Sequence, residues 1–525
     1  MTTALDAAPL PRTLDASVVH RLLSTLDVAS PAGQSEIVSP FTGTPMGSLP
    51  QASAADVDDA VSALRAGQES WAQLPVAERA RVLLRFHDLV LARRDEGLDI
   101  VQAEVGKSRR DAAEEMLDLL LVSRHYARDA QRLLRPRRHR GVLPLATGVV
   151  ELHVPRGVVG VLSPWNYPLA LVSGDVLPAL VAGNAVLVKP DHRTTLTALW
   201  QVGLMHEAGV PRDVVRLVPG DGAVVGPLVV DRVDYVMFTG STPVGRQVAA
   251  RCGERLVGCS LELGGKNAMI VRADADVRKA AEIAVRGSFT NAGQLCISME
   301  RIYVHDAVYD TFVAALCDRV AALEFATGIG WGGTIGSLIS PEQRARVQAH
   351  VDDAVAAGAR VLAGGRSRPD LGPAFFEPTV LDGVTEEMSL CRNETFGPVV
   401  ALYRVHSDEE AIRRANDTVY GLNASVVTRD LAAGQAVARR LRAGTVNVNE
   451  AYGAAWGSTR APMGGMGDSG LGRRHGDEGL LKYAEAQTIA TQRVLGLGTP
   501  PGLSDERWLG MLTMSLAAMK KLGLK

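Results

Sequence analysis

The sequence has few cysteines, few aromatic residues and almost no excess of charge of either sign. Its five cysteines form no CxxC pair, and a chain of 525 residues needs no disulfides to hold its core, so a reducing, cytoplasmic location is expected. With 56 Lys and Arg against 58 Asp and Glu, the net charge of −2 creates no overall field that would gather a nucleic acid. We therefore expect no nucleic-acid partner.

Long apolar runs and metal-binding motifs are also missing. No window holds the roughly 18 uninterrupted apolar residues of a membrane-spanning helix, and the nearest, 508–519, is too short. Residues 1–12 contain an acid and two prolines and lack the basic start and apolar run of a signal peptide. The 11 His are scattered, without HExxH or a Cys/His cluster at ligand spacing. These absences predict neither a membrane segment nor a metal site.

One local basic cluster departs from the neutral balance. It comprises five arginines around Pro136, which are Arg132, Arg135, Arg137, Arg138 and Arg140. No aromatic residues are interleaved with them, so a solvated loop or a subunit contact is favoured over an anion site.

The order of elements predicts an α/β protein of about three domains. Residues 54–134 have apolar positions at helical spacing. Short β-branched runs then alternate with helical stretches, first at 158–162, 185–188, 214–218 and 235–238, and again at 268–271, 301–304, 398–402 and 445–448. Such a pattern is typical of parallel sheets covered on both faces. The extended stretches 141–154 and 483–492 could pair as an arm that needs a partner subunit to cover it.

Two residues are candidates for chemistry because of their neighbours. Cys296 follows small and polar residues that leave its sulfur reachable, whereas Cys317 lies on an apolar helical face and is predicted to be core. Glu262 lies between two leucines, where burial should raise its pKa towards that of a general base, although a partly exposed strand-end acid is the alternative. The turn 220–226 has GxGxxxG spacing, which favours an ordinary strand-to-helix turn over a phosphate loop.

The sequence motifs around these residues resemble those of a known family. Seven motifs, in the order in which the family has them, resemble those of the aldehyde dehydrogenase superfamily. Within the superfamily, the overall sequence pattern most resembles that of bacterial succinate-semialdehyde dehydrogenases. The motifs are Pro164-Trp165-Asn166-Tyr167-Pro168, Lys189-Pro190, Phe238-Thr239-Gly240-Ser241-Thr242-x-x-Gly245, Glu262-Leu263-Gly264-Gly265-Lys266, Gly293-Gln294-x-Cys296, Asn393-Glu394-Thr395-Phe396-Gly397-Pro398 and Ser469-Gly470-x-Gly472-Arg473.

The resemblance implies a domain plan. A Rossmann-type NAD(P)-binding domain would comprise 1–135 and 156–261, and a second α/β domain, the catalytic one, 262–476. A small β oligomerisation arm would comprise 136–155 and 477–496, followed by a C-terminal tail at 497–525. The expected assembly is a homodimer or homotetramer.

The resemblance also implies residue roles. Cys296 would be the nucleophile, Glu262 the general base, and the Asn166 amide an oxyanion donor together with the Cys296 backbone N–H. A thiohemiacetal would give up hydride to NAD or NADP, and water would release the acid from the resulting thioester. The implied cofactor-binding positions are Trp165, Lys189, His192, Gly222, Ser241, Gly245, Glu394 and Phe396.

Two departures from the family pattern bear on specificity. Where many NAD-preferring members carry a Glu, this chain has His192 followed by Arg193, so NADP should be accepted, while Asp191 keeps NAD open. Residues 169–175 lack the Arg that clamps a distal carboxylate in better-known succinate-semialdehyde enzymes. The loop 449–462 offers Tyr452, Trp456 and Arg460 as substrate contacts, a composition that suits an apolar or aromatic aldehyde at least as well.

Other reaction classes stay open beside aldehyde oxidation. An acyl-transferring relative would pass the thioester to coenzyme A, and a Cys hydrolase would need no nicotinamide. Glu262 argues for water as the acyl acceptor, and the matches at Lys189 and Glu394 argue for the dinucleotide. The tail from 497 onwards has apolar residues on several sides and three lysines, which favours packing against protein over binding to a membrane surface.

Overall fold

The computed structural model describes residues 13–142, 147–493, 496 and 498–523. Its strands are β1 (Gly33–Val38), β2 (Pro45–Gln51), β3 (Arg137–Arg140), β4 (Thr147–Pro155), β5 (Val158–Ser163), β6 (Ala185–Pro190), β7 (Val215–Leu217), β8 (Tyr235–Thr239), β9 (Gly258–Glu262), β10 (Asn267–Val271), β11 (Met299–His305), β12 (Arg360–Ala363), β13 (Thr379–Asp382), β14 (Val399–Val405), β15 (Asn423–Val427), β16 (Thr445–Val448), β17 (Gly470–Leu471) and β18 (Ala484–Gln492).

The α-helices connect and cover these strands. They are α1 (Ala16–Leu23), α2 (Ala54–Gln73), α3 (Val76–Ala92), α4 (Arg94–Val105), α5 (Arg109–Leu134), α6 (Pro168–Val181), α7 (Thr195–Glu207), α8 (Gly222–Val230), α9 (Thr242–Glu254), α10 (Val277–Phe289), α11 (Tyr309–Ala321), α12 (Pro341–Ala356), α13 (Ser389–Arg392), α14 (Asp408–Asn416), α15 (Leu431–Ala438), α16 (Gly453–Trp456), α17 (Glu478–Leu481) and α18 (Asp505–Lys521). Short 3₁₀ turns lie at His192–Thr194, Thr290–Gly293, Asp306–Val308 and Gly467–Ser469.

The chain divides into two compact units. Unit 1 comprises Met1–Leu133 and Pro155–Ala484, and unit 2 comprises Leu134–Val154 and Glu485–Lys525. Residues 477–484, which the sequence assigned to the arm, belong to unit 1, where the Tyr483 hydroxyl donates to Asp175 at 3.0 Å. The further division of unit 1 into a cofactor domain and a catalytic domain stays a prediction.

Unit 1 contains the two large sheets that the alternating pattern predicts. The six-stranded sheet has the order β17-β9-β8-β5-β6-β7, and the seven-stranded sheet has the order β12-β13-β14-β11-β10-β15-β16. Every residue of β5 and β6 is buried, because helices cover both faces of a parallel sheet. The α/β prediction is confirmed, and the strands that the sequence analysis missed include β12, β13, β15 and the two-residue β17.

Unit 2 contains a three-stranded sheet of order β18-β4-β3. The basic cluster was expected in a solvated loop or a subunit contact; Arg137, Arg138 and Arg140 lie on β3, which pairs antiparallel with β4, so the loop is wrong and the subunit contact stays a prediction. All four β3 residues are exposed, and His139 bonds to Glu151 across the pair at 2.6 Å. An exposed edge strand tolerates such charge, which explains why a basic run forms a strand here.

The tail forms α18 within unit 2. Ser504 caps its start by accepting from the Arg507 N–H, and none of its residues is buried. Its exposed apolar side chains include Leu509, Met514 and Leu516, while residues 497, 524 and 525 of the predicted tail lie outside the described part of the chain. Within that described part, no helix is long and apolar enough to cross a membrane.

Candidate active site

A cavity of about 380 Å³ lies at the carboxyl edge of the six-stranded sheet in unit 1. Strands β5, β8 and β9 run parallel, so their carboxyl ends meet at one edge, where α/β sheets hold their ligands. The residues that line the cavity come from segments distant in the sequence. Those predicted as site residues are Trp165, Asn166, Ser241, Glu262, Cys296, Glu394 and Phe396.

Cys296 is presented by a tight loop that follows α10. Asn291 and Ala292 both have a φ of 52°, in the left-handed region that residues with a Cβ rarely adopt. The Asn291 N–H donates to the Asp111 carboxylate at 3.0 Å, and its side-chain amide donates to the Gln294 carbonyl at 3.1 Å. These bonds fix the loop and leave the Cys296 sulfur partly exposed in the cavity.

The surroundings of Cys296 disfavour its thiolate form. Burial raises its pKa to about 12, and the nearby carboxylates of Glu394 and Glu262 contribute to the rise, while Arg474 opposes it. A thiol with such a pKa becomes a strong nucleophile only when positive charge arrives near the sulfur.

Asn166 lies next to the cysteine loop. Its side-chain amide donates to the Gln294 carbonyl at 3.1 Å, which uses one of its two N–H groups and leaves the second for a ligand. The Asn166 carbonyl accepts from Lys107 Nζ at 2.8 Å and from the Asn291 amide at 3.1 Å. These two bonds hold the main chain of Asn166, and the bond to Gln294 holds its side-chain amide, within the cavity that also contains Cys296.

Glu262 is the last residue of β9. Its neighbours in the sheet are Thr239 on β8 and Gly470 on β17. No described residue bonds to its Oε1 atom, although that atom is buried. Burial raises the pKa of Glu262 to about 7, while Arg474 and Lys482 oppose the rise. A carboxylate with this pKa and a free oxygen suits a general base at neutral pH.

A buried ionic network adjoins Glu262. Arg474 forms an ion pair with Asp175 and donates to the Thr239 hydroxyl at 2.9 Å, beside Glu262 in the sheet register. Lys482 Nζ lies 3.4 Å from Asp175 and adds a second cation. Two cations share one carboxylate, so the network keeps a net positive charge that favours the ionised form of Glu262.

The opposite wall of the cavity carries Glu394 and Phe396. Glu394 Oε1 accepts from the Gly265 N–H at 2.9 Å, and a Cβ at Gly264 would collide with its other oxygen. The Phe396 ring meets Trp165 edge-on, with 5.4 Å between the ring centroids. Two aromatic rings beside a carboxyl group fit a nicotinamide riboside, whose ring needs packing and whose ribose hydroxyls need an acceptor.

Lys189 and two helix starts lie at the same end of the sheet. Lys189 is 4% exposed, and burial lowers its pKa. Ser241 precedes α9 without making a side-chain cap bond, so the first N–H groups of that helix stay available to an anion. A Cβ at Gly245 would collide with Leu263, and one at Gly222 would lie 3.6 Å from Lys189 Nζ. These features fit the adenosine ribose and pyrophosphate of a dinucleotide.

The position predicted to distinguish NAD from NADP was His192, but the structure places its neighbour Arg193 at the cavity. Among the described residues, Arg193 lines the cavity and His192 does not. Arg193 binds the Asp191 carboxylate through two contacts of 2.8 Å and lies 5.3 Å from the Trp165 ring. Although burial raises the pKa of Asp191, the bonds from Arg193 lower it to about 2. The guanidinium charge is thus already shared with one carboxylate.

Two of the three predicted substrate residues belong to an aromatic cluster. The Trp456 ring is 5.9 Å from Tyr167 and 6.2 Å from Tyr452. The Tyr452 hydroxyl donates to Glu114 at 2.9 Å and is 3.2 Å from the hydroxyl of Thr290, at the start of the cysteine loop. Tyr452 and Trp456 are therefore beside the loop that presents Cys296 and do not line the cavity itself.

The third predicted substrate residue, Arg460, is placed elsewhere. Its side chain is 79% exposed and lies 3.1 Å from the Asp129 carboxylate. Arg460 is absent from the residues that line the cavity, and its guanidinium faces Asp129 instead. The expectation that Arg460 clamps a substrate carboxylate therefore gains no support.

The sequence reasoning also missed one wall of the cavity. This wall comes from the start of α12 and consists of Ser340, Glu342, Gln343 and Arg346. Ser340 followed by a proline is a helix-start signal, and it does cap α12 by accepting from the Gln343 N–H at 3.3 Å. Nothing in that local signal indicates where the helix lies. Among the described residues, no group of three or more His, Cys, Asp or Glu could hold a metal ion.

Comparison with known proteins agrees with the motifs. Residues 28–489 match the profile of the aldehyde dehydrogenase family. A protein of Mycolicibacterium smegmatis, provisionally named succinate-semialdehyde dehydrogenase (NADP(+)), is 52% identical over 98% of this chain and 99% of its own length. A 3-sulfolactaldehyde dehydrogenase of Pseudomonas putida is 35% identical over 86% of this chain and 92% of its own length.

Solved structures show the same fold. A succinate-semialdehyde dehydrogenase of Burkholderia pseudomallei has a TM-score of 0.85 and 35% identity, and the match covers 89% of this chain and 96% of that one. A betaine aldehyde dehydrogenase of Staphylococcus aureus in complex with NAD+ has a TM-score of 0.86 and 31% identity, over 93% of this chain and 99% of that one.

Proposed function

The chain belongs to the aldehyde dehydrogenase family, and we propose that it oxidises succinate semialdehyde to succinate with NADP+ through a thioester on Cys296. That it is an NAD(P)-dependent oxidoreductase acting on aldehydes follows from the family and from its relatives. The observation that carries the residue assignment is the convergence of Cys296, Glu262 and Asn166 on one cavity from three distant segments.

The first step is addition of the Cys296 sulfur to the aldehyde carbon. The C–S bond forms as the carbonyl π bond opens, which places negative charge on the carbonyl oxygen, and the thiol proton passes to water in the cavity. The Asn166 side-chain amide, held by its bond to the Gln294 carbonyl, donates its second N–H to that oxygen without reorganising. A donor fixed in this way is typically worth about 3 kcal/mol.

A nicotinamide held in the cavity would supply the hydride acceptor and a positive charge that favours the thiolate form of Cys296. Glu394 would hold the adjoining ribose, and Phe396 with Trp165 would pack against the ring. Lys189 and the start of α9 would hold the adenosine ribose and the pyrophosphate. The protein's contribution is to fix these groups beside the sulfur.

The last step is hydrolysis of the thioester. Glu262 takes a proton from water through its unpaired Oε1, and the resulting hydroxide attacks the acyl carbon. The C–S bond then breaks, the acid leaves, and the sulfur regains a proton. Because Glu262 supplies a base for water in the cavity itself, hydrolysis is preferred here to transfer of the acyl group to coenzyme A.

The choice of substrate rests on the relatives. The M. smegmatis protein, which is similar over almost the whole chain, has the provisional name succinate-semialdehyde dehydrogenase (NADP(+)). A relative of Mycobacterium tuberculosis that is 51% identical over 92% of this chain has a provisional name of the same kind. One observation favours a second candidate. The cluster of Tyr167, Tyr452 and Trp456 would suit an apolar or aromatic aldehyde.

The preference for NADP+ has a physical basis in Arg193. It lines the cavity and could pair with a 2′-phosphate at the cost of sharing its bond with Asp191. Asp191 would in turn repel a phosphate, so both cofactors should be used, with NADP+ ahead.

Unit 2 supports the proposal of a homodimer or homotetramer. Its sheet ends in β18, in which every residue except Ala484 is exposed, and such an edge is usually covered. The five free thiols in the described residues fit a reducing compartment, in line with a cytoplasmic enzyme. Light scattering would measure the subunit count directly.

An aldehyde panel with both cofactors tests the proposal. Reduced nicotinamide is followed by absorbance without coenzyme A, with hexanal as a neutral aldehyde and the Cys296→Ala variant as the control. Succinate semialdehyde with NADP+ should give the highest kcat/KM, and the variant should give no turnover with any aldehyde. A higher kcat/KM for hexanal would favour an apolar aldehyde as the substrate. Dependence of turnover on coenzyme A would contradict water as the acyl acceptor.

A further inference from the structure

A second pair of sulfurs lies away from the proposed chemistry of Cys296. Cys252 is on α9 and Cys259 is on β9, and the chain reverses between them at Leu256, whose φ is 56°. The Val257 N–H donates to the Cys252 carbonyl at 3.1 Å and closes this reversal. The helix end and the strand start are thus bonded together, seven residues apart.

The side chains of the two cysteines pack in one apolar cluster. Cys252 belongs to the apolar cluster between α9 and the sheet, together with Val248 and Leu261. Cys259 precedes Leu261 by two residues on the same strand, so it points to the same face and packs against that cluster. The two thiols are close enough for the side chain of each to shift the pKa of the other.

The two thiols differ in their access to solvent. Cys252 is 1% exposed, whereas Cys259 is partly exposed. The neighbouring Cys252 side chain lowers the pKa of Cys259, which favours a thiolate there, while the partial burial of Cys259 opposes that shift. The two roles of an oxidisable pair are therefore already divided between an accessible attacking sulfur and a protected second one.

We propose that Cys252 and Cys259 form a thiol pair that hydroperoxides oxidise reversibly to a disulfide. The pair is a modification site separate from the catalytic sulfur, and neither residue lines the cavity of Cys296 among the described residues.

The oxidation proceeds in two balanced steps. The Cys259 sulfur attacks one oxygen of hydrogen peroxide, the O–O bond breaks, and a sulfenic acid and water form. The Cys252 sulfur then attacks the Cys259 sulfur, the S–S bond forms, the S–O bond breaks, and the departing hydroxide leaves as water with the Cys252 proton. Peroxide gains the two electrons that the two thiols lose, and an added dithiol returns both cysteines to the reduced form.

Peptide mass spectrometry on the full-length protein tests the pair. After a peroxide dose, free thiols are alkylated and the protein is cut with trypsin, which cleaves after Arg251, Arg255 and Lys266 and so places the two cysteines on peptides 252–255 and 256–266. These peptides should be recovered joined, with loss of two alkylatable thiols, while Cys317 stays alkylated. Dithiothreitol should separate them and restore both thiols.

Removal of the second sulfur supplies the matched control. In Cys252→Ser and Cys252→Ala, Cys259 should pass beyond the sulfenic acid to a sulfinic acid that dithiothreitol does not reverse. A thermal melt confirms that each variant is folded, and the wild-type experiment decides the question even if neither is. Peptides 252–255 and 256–266 recovered unlinked and alkylated, at a dose that oxidises Cys296, would overturn the proposal. So would irreversible oxidation of Cys259 in the wild-type protein.

Discussion

Hydrolysis of the acyl-enzyme should follow the ionisation of Glu262 as the pH changes. Burial raises the pKa of this carboxyl to about 7, so about one-tenth of the molecules carry the carboxylate at pH 6 and about nine-tenths at pH 8. Only the carboxylate can take a proton from water. The rate of deacylation should therefore rise about tenfold from pH 6 to pH 8. A carboxyl with an ordinary pKa would be almost fully ionised throughout and would give a flat profile.

Rapid mixing separates deacylation from hydride transfer. Excess aldehyde is mixed with enzyme and NADP+, and reduced nicotinamide is followed across the pH series. In Glu262→Gln, one burst per active site should precede turnover slowed by about 10²–10⁴, with no rise between pH 6 and pH 8. Glu342→Gln is the matched control, because Glu342 lines the same cavity but a hydrogen bond with Ser340 lowers its pKa, so this variant should keep the rise.

Two results would refute the reasoning. Turnover of Glu262→Gln at the wild-type rate would show that another group activates the water. A slow rate without a burst would place Glu262 at a step before hydride transfer.

Two substitutions and one deletion probe specificity and the tail. His192→Glu should shift the ratio of kcat/KM towards NAD+, because a carboxylate repels a 2′-phosphate; an unchanged ratio would leave discrimination to Arg193. Arg460→Ala should change the KM for succinate semialdehyde by less than about twofold, since an exposed ion pair contributes little. A strong rise in KM for this aldehyde, with hexanal unaffected, would restore Arg460 as a substrate contact. Deletion of residues 503–525 should lower thermal stability or change the oligomer in light scattering. Intact protein that sediments with anionic liposomes, beside a truncated form equally stable but left in solution, would instead assign the tail to a membrane surface.

The sequence was informative where chemistry depends on neighbours along the chain. Buried strands appear as continuous apolar runs, and flanking leucines predicted the raised pKa of Glu262, in agreement with a value of about 7. Contacts between segments that are distant in the sequence could not be predicted from local patterns. Asp175 and Arg474 are 299 residues apart, and neither carries a local signal that it adjoins Glu262. The same holds for Arg460, whose partner Asp129 is visible only in the folded chain.

The covalent intermediate on Cys296 can be measured directly. The Glu262→Gln variant is mixed with succinate semialdehyde and NADP+, and the reaction is quenched with acid after the burst. The protein is then digested with trypsin, and the mass of peptide 287–301, which contains Cys296, is measured by mass spectrometry. It should carry one succinyl group on the sulfur for each nicotinamide reduced, and the Cys296→Ala/Glu262→Gln double variant should carry none. Reduced nicotinamide with an unmodified peptide, or an acyl group on another cysteine, would contradict the account.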